Sequence, residues 1–588
     1  MKAIVLSRIF RRLAAAASLL LVVGHAVAQP ASDPATDIVL LAKTAKPVLA
    51  KNGMVTSQDA IATRIGVEIL RKGGNAVDAA VAVGFALAVT HPRAGNLGGG
   101  GFFVIWLADR KKAVAIDFRE IAPAAINAKS FLDDNGKPDT ARAQRTGLGV
   151  GVPGSVSGLV TALDKFGSGK FTLAELIAPA ITLARKGIPV ESDLAASLMR
   201  FQNTLLRWPS SAKIFAPDGR ILQNGVLIQP DLALTLEAIA AQGADAFYKG
   251  EIAQKIARAV RDAGGVMTAD DLANYKSEVL DVVRGNYRGY EIFSMPPPSS
   301  GGALLIQLLN ILEGYDLKDG PNAPQTLHLM IESMKRAYAD RAEFFGDPAF
   351  VKVPLDRLVS KEYAARVRTN INLYKSTPAS KIKAGIVPHK EGENTTHYSV
   401  LDQYGNAVAA TVTLNLNFGL GLVADGTGVL LNNELDDFAL APGIPNAFGL
   451  VGGAANAPGP SKKPLSSMSP TILLKDGSVY LVTGSPGGST IITTVLRVIT
   501  GVIDHRLDVA QAVLLPRVHH QWMPDEVRAE GALVRIMTSE QLRAFEAYGH
   551  RINPFPFNIG AANSILVTPE GIAGVSDPRY LGTLAAGH

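Results

Sequence analysis

The chain has 588 residues, 47% apolar and 19% charged, with no cysteine and a formal net charge of +6. The missing thiols exclude disulfides, Cys-ligated metals and a cysteine nucleophile, so the fold rests on its core and covalent catalysis falls to Ser or Thr. Nucleic acid is not indicated as a partner, because no run of basic residues is interleaved with aromatics.

The first residues read as a targeting segment. Lys2, Arg8, Arg11 and Arg12 form a basic start, Leu13 to Val23 an apolar stretch too short to span a bilayer, and Ala26-Val27-Ala28 an A-x-A cleavage site. A Sec-type signal over 1–28, cut before Gln29, is expected, with the product periplasmic or secreted and not membrane-bound. Its removal lowers the net charge from +6 to +2 and leaves 560 residues, enough to bury a large core. Length alone allows about four domains, yet no fixed-period repeat or low-complexity linker divides the chain.

Helices and strands then alternate. Ile61, Ile65 and Ile69 recur at helical spacing behind a cap at Ser57 or Asp59, and Gly73-Gly74 ends that helix. Residues 76–90 are almost wholly apolar but short and carry Asp78, which predicts a buried helix. The run from Gly95 to Gly101 invites a nucleotide-binding reading. No Lys-Ser/Thr follows it, and the next residues form a strand, so a tight, close-packed turn is expected. Ile116 to Glu120 closes a strand pair and presents Arg119. Residues 146–158 hold two serines among glycines without the G-x-S-x-G of an esterase elbow. Residues 171–247 read as a mainly helical outer layer, Thr268 caps a short helix, and a helix spans 303–312 after a Pro-rich break. The charged run 328–347, with Glu332, Lys335, Arg336, Asp340 and Arg341, reads as a solvated, ion-paired helix face of structural role. Residues 376–394 lack periodicity and read as an exposed connector.

Two β-rich runs, HYSVLD and NAVAATVTLN, flank Gln403-Tyr404-Gly405. A three-residue hairpin loop wants its third residue in the left-handed region, where Gly is least strained. If Asp402 and Asn406 close the loop, Thr395 falls opposite Thr413 and two hydroxyls face each other at the open end. Asn432 to Phe438 clusters Glu434, Asp436 and Asp437 beside asparagines. A Ca²⁺ site is the alternative there, but the D-x-D-x-D spacing is missing. Residues 442–460 are rich in Gly, Ala and Asn and read as a mobile loop. Gly484 to Ser489 precedes a helix over 491–503, whose first N–H groups could serve a phosphate or, beside a hydroxyl nucleophile, an oxyanion. His519 and His520 are adjacent and cannot share a strand face, so they are assigned structural roles.

The run T-T-H-Y-S-V-x4-G-N-x-V-x-x-T-x-T-L-N-x2-F-G, Thr395 to Gly419, resembles the small-subunit start of the γ-glutamyltransferases. D-F-R-E at 117–120, G-N-x-G-G-G-G at 95–101, A-Y-A-D-R at 337–341 and P-L-S-S-M-S-P at 464–470 resemble further family motifs. The resemblance implies an α+β fold, the four-layer αββα sandwich of N-terminal-nucleophile hydrolases, built jointly by two subunits cut from one precursor. Cleavage would fall between Asn394 and Thr395, giving a large subunit of residues 29–394 and a small one of 395–588. Thr395 would be the nucleophile, Thr413 would position it, and Gly487 and Gly488 would hold the oxyanion. Arg119, Ser466 and Ser467 would take the substrate α-carboxylate, and Glu434 and Asp437 its α-ammonium. Some members carry Gln at the position of Glu434. Phe448 stands in the lid where many bacterial members have a gating Tyr, with Asn415 as the facing wall. The implied partners are glutathione and other γ-glutamyl compounds, with amino acids or dipeptides as acceptors, and no cofactor or metal. An acylase for glutaryl side chains of β-lactams is the nearest rival; a non-catalytic binding protein and a nucleotide-binding enzyme follow.

Overall fold

Strand Thr396–Leu401 pairs antiparallel with strand Ala407–Thr413, setting Thr396 against Val412 and Leu401 against Ala407. The loop between them is the expected one: Asp402 N–H donates to Asn406 O at 3.0 Å, and Gly405 takes a φ of +83°. The Asp402 carboxylate accepts from the N–H groups of Tyr404 and Asn406 at 2.8 and 2.9 Å. It also accepts from Ala76 N–H at 2.8 Å, which fixes the hairpin tip to the start of helix Ala76–Thr90. The computed structural model describes residues 38–588 apart from 40, 43, 384–394, 442, 443, 445, 448, 449, 451, 556 and 557. The signal segment, Asn394 and Phe448 therefore lie outside the described residues.

The hairpin is the centre of a seven-stranded sheet. In order its strands are Leu584–Gly587, Met54–Ser57, Thr396–Leu401, Ala407–Thr413, Gly100–Leu107, Lys112–Phe118 and Glu278–Leu280, antiparallel throughout. A second seven-stranded sheet runs Val48–Ala50, Gly571–Ser576, Asn563–Thr568, Ser478–Thr483, Thr471–Lys475, Tyr290–Ser294 and Val283–Tyr287. The central strands Thr396–Leu401, Ala407–Thr413 and Gly100–Leu107 are buried on both faces, one against helices and the other against the second sheet. In strand Gly100–Leu107, Phe103, Ile105 and Leu107 pack outward against the helices, while Phe102, Val104 and Trp106 point to the other sheet. Phe293, Ile472 and Val482 meet them there, and Trp106 stacks on Phe293 with ring centroids 5.7 Å apart. Helices Ala60–Arg71, Ala76–Thr90 and Ser155–Phe166 cover the first sheet; Gly301–Leu312 and Thr490–Ile503 cover the second. This is the four-layer αββα sandwich that the sequence implies.

Local signals hold where they were strongest. Asp59 caps the first helix, Asn75 and Asp78 form a capping box, and every residue of 76–90 is buried. The glycine run makes a packed turn: a Cβ on Gly98 would lie 2.0 Å from Leu430 O, and one on Gly99 2.1 Å from Thr413 O. Backbone atoms cannot give way as a side-chain tip can. Gly99→Ala should therefore cost about 1–3 kcal/mol and lower the thermal denaturation midpoint; an unchanged midpoint would refute the close approach.

Two expectations are corrected. Helix Pro324–Phe344 is not a solvated face: Glu332, Lys335, Arg336 and Arg341 are buried, and Arg336 Nη1 donates to Glu332 Oε2 at 2.8 Å. Glu332 lies between Lys335 and Arg336, Asp525 adds a second carboxylate 3.5 Å from Lys335, and Arg341 is held by serine hydroxyls, so each buried cation has partners. The described part of the connector is not simply exposed either. Lys335 Nζ donates to Ser376 Oγ at 2.8 Å, Ala379 is buried, and its N–H donates to Asp525 Oδ2 at 2.8 Å. Among the described residues no helix is long and apolar enough to cross a membrane.

Candidate active site

Thr395 stands one residue before strand Thr396–Leu401, and Thr413 ends the neighbouring strand. Their hydroxyl oxygens are 3.4 Å apart, and both residues are buried. Thr413 is held by its surroundings: its carbonyl accepts from Asn96 Nδ2 and its hydroxyl from Asn415 N–H, each at 2.8 Å. Asn415 itself sits at a φ of +72°, a conformation Asn tolerates better than most residues. Its Nδ2 donates to Asn433 O at 2.9 Å, while its buried Oδ1 has no partner among the described residues.

The two threonines open onto a narrow cleft whose other walls include Arg119, Glu434, Asp437, Ser466, Ser467 and Gly488. Residues far apart in sequence thus line one cleft. Arg119 follows strand Lys112–Phe118 and is fully buried; its Nη1 donates to Glu434 Oε1, and its Nη2 donates to Asp437 Oδ2 at 2.6 Å. Glu120 lies alongside, 3.9 Å from the same guanidinium, with neither carboxyl oxygen hydrogen-bonded among the described residues. Burial works against charge on Arg119, but the three carboxylates more than offset it and its pKa rises. Burial raises Glu120, Glu434 and Asp437 in turn, with Arg119 opposing.

Asp437 is further fixed by Asn446, whose Nδ2 donates to Oδ1 at 2.7 Å, and Asp436 faces away, accepting from Gln144 Nε2 at 3.0 Å and Ala447 N–H at 2.9 Å. Burial pushes Asp436 up to about 7. Among the described residues no three His, Asp or Glu side chains gather as a metal would require. The described residues of 442–460 include firm contacts rather than a free loop: Asn456 Nδ2 donates to Asp437 O at 2.7 Å and its Oδ1 accepts from Leu465 N–H at 3.0 Å.

The serine pair is anchored from behind. Ser300 N–H donates to Ser466 O at 2.9 Å, and Arg341 donates from Nε to Ser300 Oγ at 2.9 Å and from Nη2 to Ser467 Oγ at 3.1 Å. Burial lowers Arg341 to about 10. Arg341 is the site residue that sequence reasoning missed. Its A-Y-A-D-R context was visible, but nothing local reveals a reach of 126 positions to Ser467. Gly487 and Gly488 take φ values of +130° and +51°, turning the chain ahead of helix Thr490–Ile503, with Gly488 on the wall beside Thr395. Elsewhere, His519 and His520 are buried and bonded, His519 Nδ1 to Thr493 Oγ1 at 3.0 Å and His520 Nε2 to Asp525 Oδ1 at 3.2 Å. Their structural assignment stands.

Such a cleft, with a hydroxyl at a strand start beside an opposed guanidinium and carboxylates, suits attack on the acyl group of an amino-acid-like compound. Known proteins agree with that chemistry. A glutathione hydrolase proenzyme of Escherichia coli (strain K12) is 50% identical over 546 residues, covering 92% of this chain and 93% of that one. Among solved structures, cephalosporin acylase from Bacillus halodurans superposes with a TM-score of 0.79 at 26% identity, covering 92% of this chain and 97% of its own. Helicobacter pylori gamma-glutamyltranspeptidase is 43% identical with a TM-score of 0.55, covering 60% of this chain and 99% of its own. The family profile described as Gamma-glutamyltranspeptidase matches residues 62–587, and the chain belongs to that family.

Proposed function

We propose that the chain is a precursor that cuts itself between Asn394 and Thr395, and that the Thr395 so exposed attacks the γ-glutamyl amide of glutathione and related compounds. The observation that carries this reading is the 3.4 Å approach of Thr395 and Thr413 on the wall of the cleft holding Arg119, Glu434 and Asp437. In the first step the Thr395 hydroxyl adds to the Asn394 carbonyl, the peptide C–N bond breaks, and water hydrolyses the resulting ester. The freed α-amine has an ordinary pKa near 7.7–8.0, so it can accept the proton of its own hydroxyl at neutral pH.

In turnover, Thr395 Oγ forms a bond to the γ-carbonyl carbon and the amide C–N bond breaks, the α-amine passing its proton to the departing nitrogen. Thr413 steadies Oγ, and the N–H groups of Gly487 and Gly488 serve the oxyanion. Water then releases glutamate, or an amino acid or dipeptide amine takes the acyl group. Arg119, Ser466 and Ser467 receive the α-carboxylate; Glu434 and Asp437 receive the α-ammonium. These two charges hang on one carbon of the substrate, so their binders must be neighbours, which the Arg119–Asp437 contact of 2.6 Å satisfies. We assign residues 29–394 and 395–588 to the two subunits of a heterodimer and an exported location to the product.

Likeness to cephalosporin acylase favours a second reading, hydrolysis of glutaryl amides. Glu434 and Asp437 weigh against it, because a glutaryl group brings no ammonium to offset two buried carboxylates. Denaturing electrophoresis with N-terminal sequencing tests the main reading: two chains are expected, of 366 and 194 residues, the smaller beginning at Thr395. A single uncut chain that is nonetheless active would overturn it.

A further inference from the structure

Gly487 and Gly488 are buried, and neither N–H donates a hydrogen bond among the described residues. Buried N–H groups without a partner are rare. Two in succession, with Gly488 on the wall of the cleft that Thr395 also lines, suit an acceptor that forms only during reaction. Such donors work by being aimed in advance, and glycines do not aim themselves. At φ values of +130° and +51°, Gly487 and Gly488 occupy a region that glycine enters freely and leaves as freely. A side chain could not stiffen the turn, because a Cβ on Gly487 would lie 2.4 Å from Thr490 Oγ1.

The aim is set from behind. In a trans peptide the N–H and C=O of one plane point opposite ways, so whatever grips the carbonyl fixes where the N–H looks. The Gly487 N–H shares a plane with Pro486 O, and the Gly488 N–H shares one with Gly487 O; both bonds are trans. Each carbonyl is held by a hydroxyl at 2.7 Å: Ser485 Oγ donates to Pro486 O, and Thr490 Oγ1 donates to Gly487 O. Ser485 Oγ also accepts from Ala561 N–H at 3.0 Å, which ties it to another stretch, while Thr490 N–H gives Gly487 O a second bond at 2.9 Å. Both residues are buried. A serine in a turn or a threonine at a helix start often bonds locally. Here the two local bonds fall on the two peptides whose N–H groups are left unpartnered, one on each.

We infer that Ser485 and Thr490 are positioning residues that hold the two N–H donors toward the oxyanion. Their role rests on Thr395 as nucleophile and on these N–H groups as its oxyanion donors. Losing one hydroxyl lets its peptide rotate, and a rotated plane turns a carbonyl oxygen toward the developing negative charge. The trigonal ground state carries no such charge, so binding should hold while the tetrahedral state suffers.

The test compares two ligands of the processed enzyme alongside turnover of γ-glutamyl-p-nitroanilide. L-Glutamate reports trigonal ground-state binding. L-2-Amino-4-boronobutanoic acid, whose boron takes up a hydroxyl to become tetrahedral and anionic, reports the oxyanion. Ser485→Ala and Thr490→Ala should each lower kcat by about tenfold, less than the roughly 10²–10³-fold lost with a whole donor. The boronate should weaken by about as much, while the Ki of glutamate stays within about twofold. Thr490→Ala should be the milder, since the backbone N–H still holds Gly487 O, and Thr490→Ser should restore most of the lost rate. An unchanged kcat, or equal weakening of glutamate and boronate, would overturn the inference, as would Thr490→Ser no better than Thr490→Ala. Failure of both alanine variants to mature would assign the hydroxyls to folding and overturn it as well; if only Ser485→Ala fails, the Thr490 pair decides. A wild type that releases no p-nitroaniline, or binds the boronate no more tightly than glutamate, is a different outcome: it sinks the nucleophile reading itself.

Discussion

Replacing Thr395 by Ala leaves one uncut chain that turns over no γ-glutamyl amide. On the proposed mechanism the substitution removes both the hydroxyl that opens the Asn394–Thr395 bond and the nucleophile used in every later cycle. Both losses follow from one atom, so the fall in turnover should be at least about 10³-fold, and electrophoresis should show a single band. The fold should survive, because Thr395 only precedes its strand and its hydroxyl meets Thr413 at 3.4 Å without anchoring a buried network. Thr395→Ser keeps the hydroxyl and loses the methyl group that limits its rotation, so cutting and turnover should be slower but present. Normal cleavage in Thr395→Ala would assign the cut to another residue.

The second large effect is on selectivity. Asp437→Ala should lower kcat/KM for γ-glutamyl-p-nitroanilide by about 2–5 kcal/mol, the usual range for truncating one member of a buried charged pair. Glutaryl-p-nitroanilide lacks the ammonium and should lose far less, so the ratio of the two rates reads the role of the carboxylate. Arg119 is not stranded by the change, since Glu434 and Glu120 remain beside it. The variant should therefore still mature. Equal losses on both substrates would mean that Asp437 serves only to hold Arg119.

Much of this site was legible because it is built on local rules. A period of two and a glycine third in a short loop put Thr395 beside Thr413, and the structure pairs Thr396 with Val412 in that same register. The crowding around Gly98 and Gly99 was likewise readable from a glycine run that lacked the lysine of a phosphate loop. What stayed hidden is non-local. Charges along 328–347 look like a wet surface until their partners are known, and those partners are Ser376, Ser467 and Asp525, far off in sequence. The same holds for the mutual pairing of Arg119 with Glu434 and Asp437, whose sequence spacing exceeds 300 positions. Motif comparison named these residues as opposite ends of a ligand; only the fold shows them gripping each other.

The central sheet has one more effect. Strand Thr396–Leu401 lies between Met54–Ser57 and Ala407–Thr413, and the C-terminal strand Leu584–Gly587 closes the edge beyond Met54–Ser57. In a chain cut before Thr395, the two pieces are therefore woven through each other. Separating them means tearing ladders from the middle of a sheet, so the cut leaves the native assembly intact. It changes the way back, however. An uncut chain refolds by a unimolecular search, whereas the severed halves must first find each other, making recovery dependent on protein concentration and open to aggregation. A cut at that point would thus turn a chain that can refold alone into one whose lifetime is set by how slowly it comes apart.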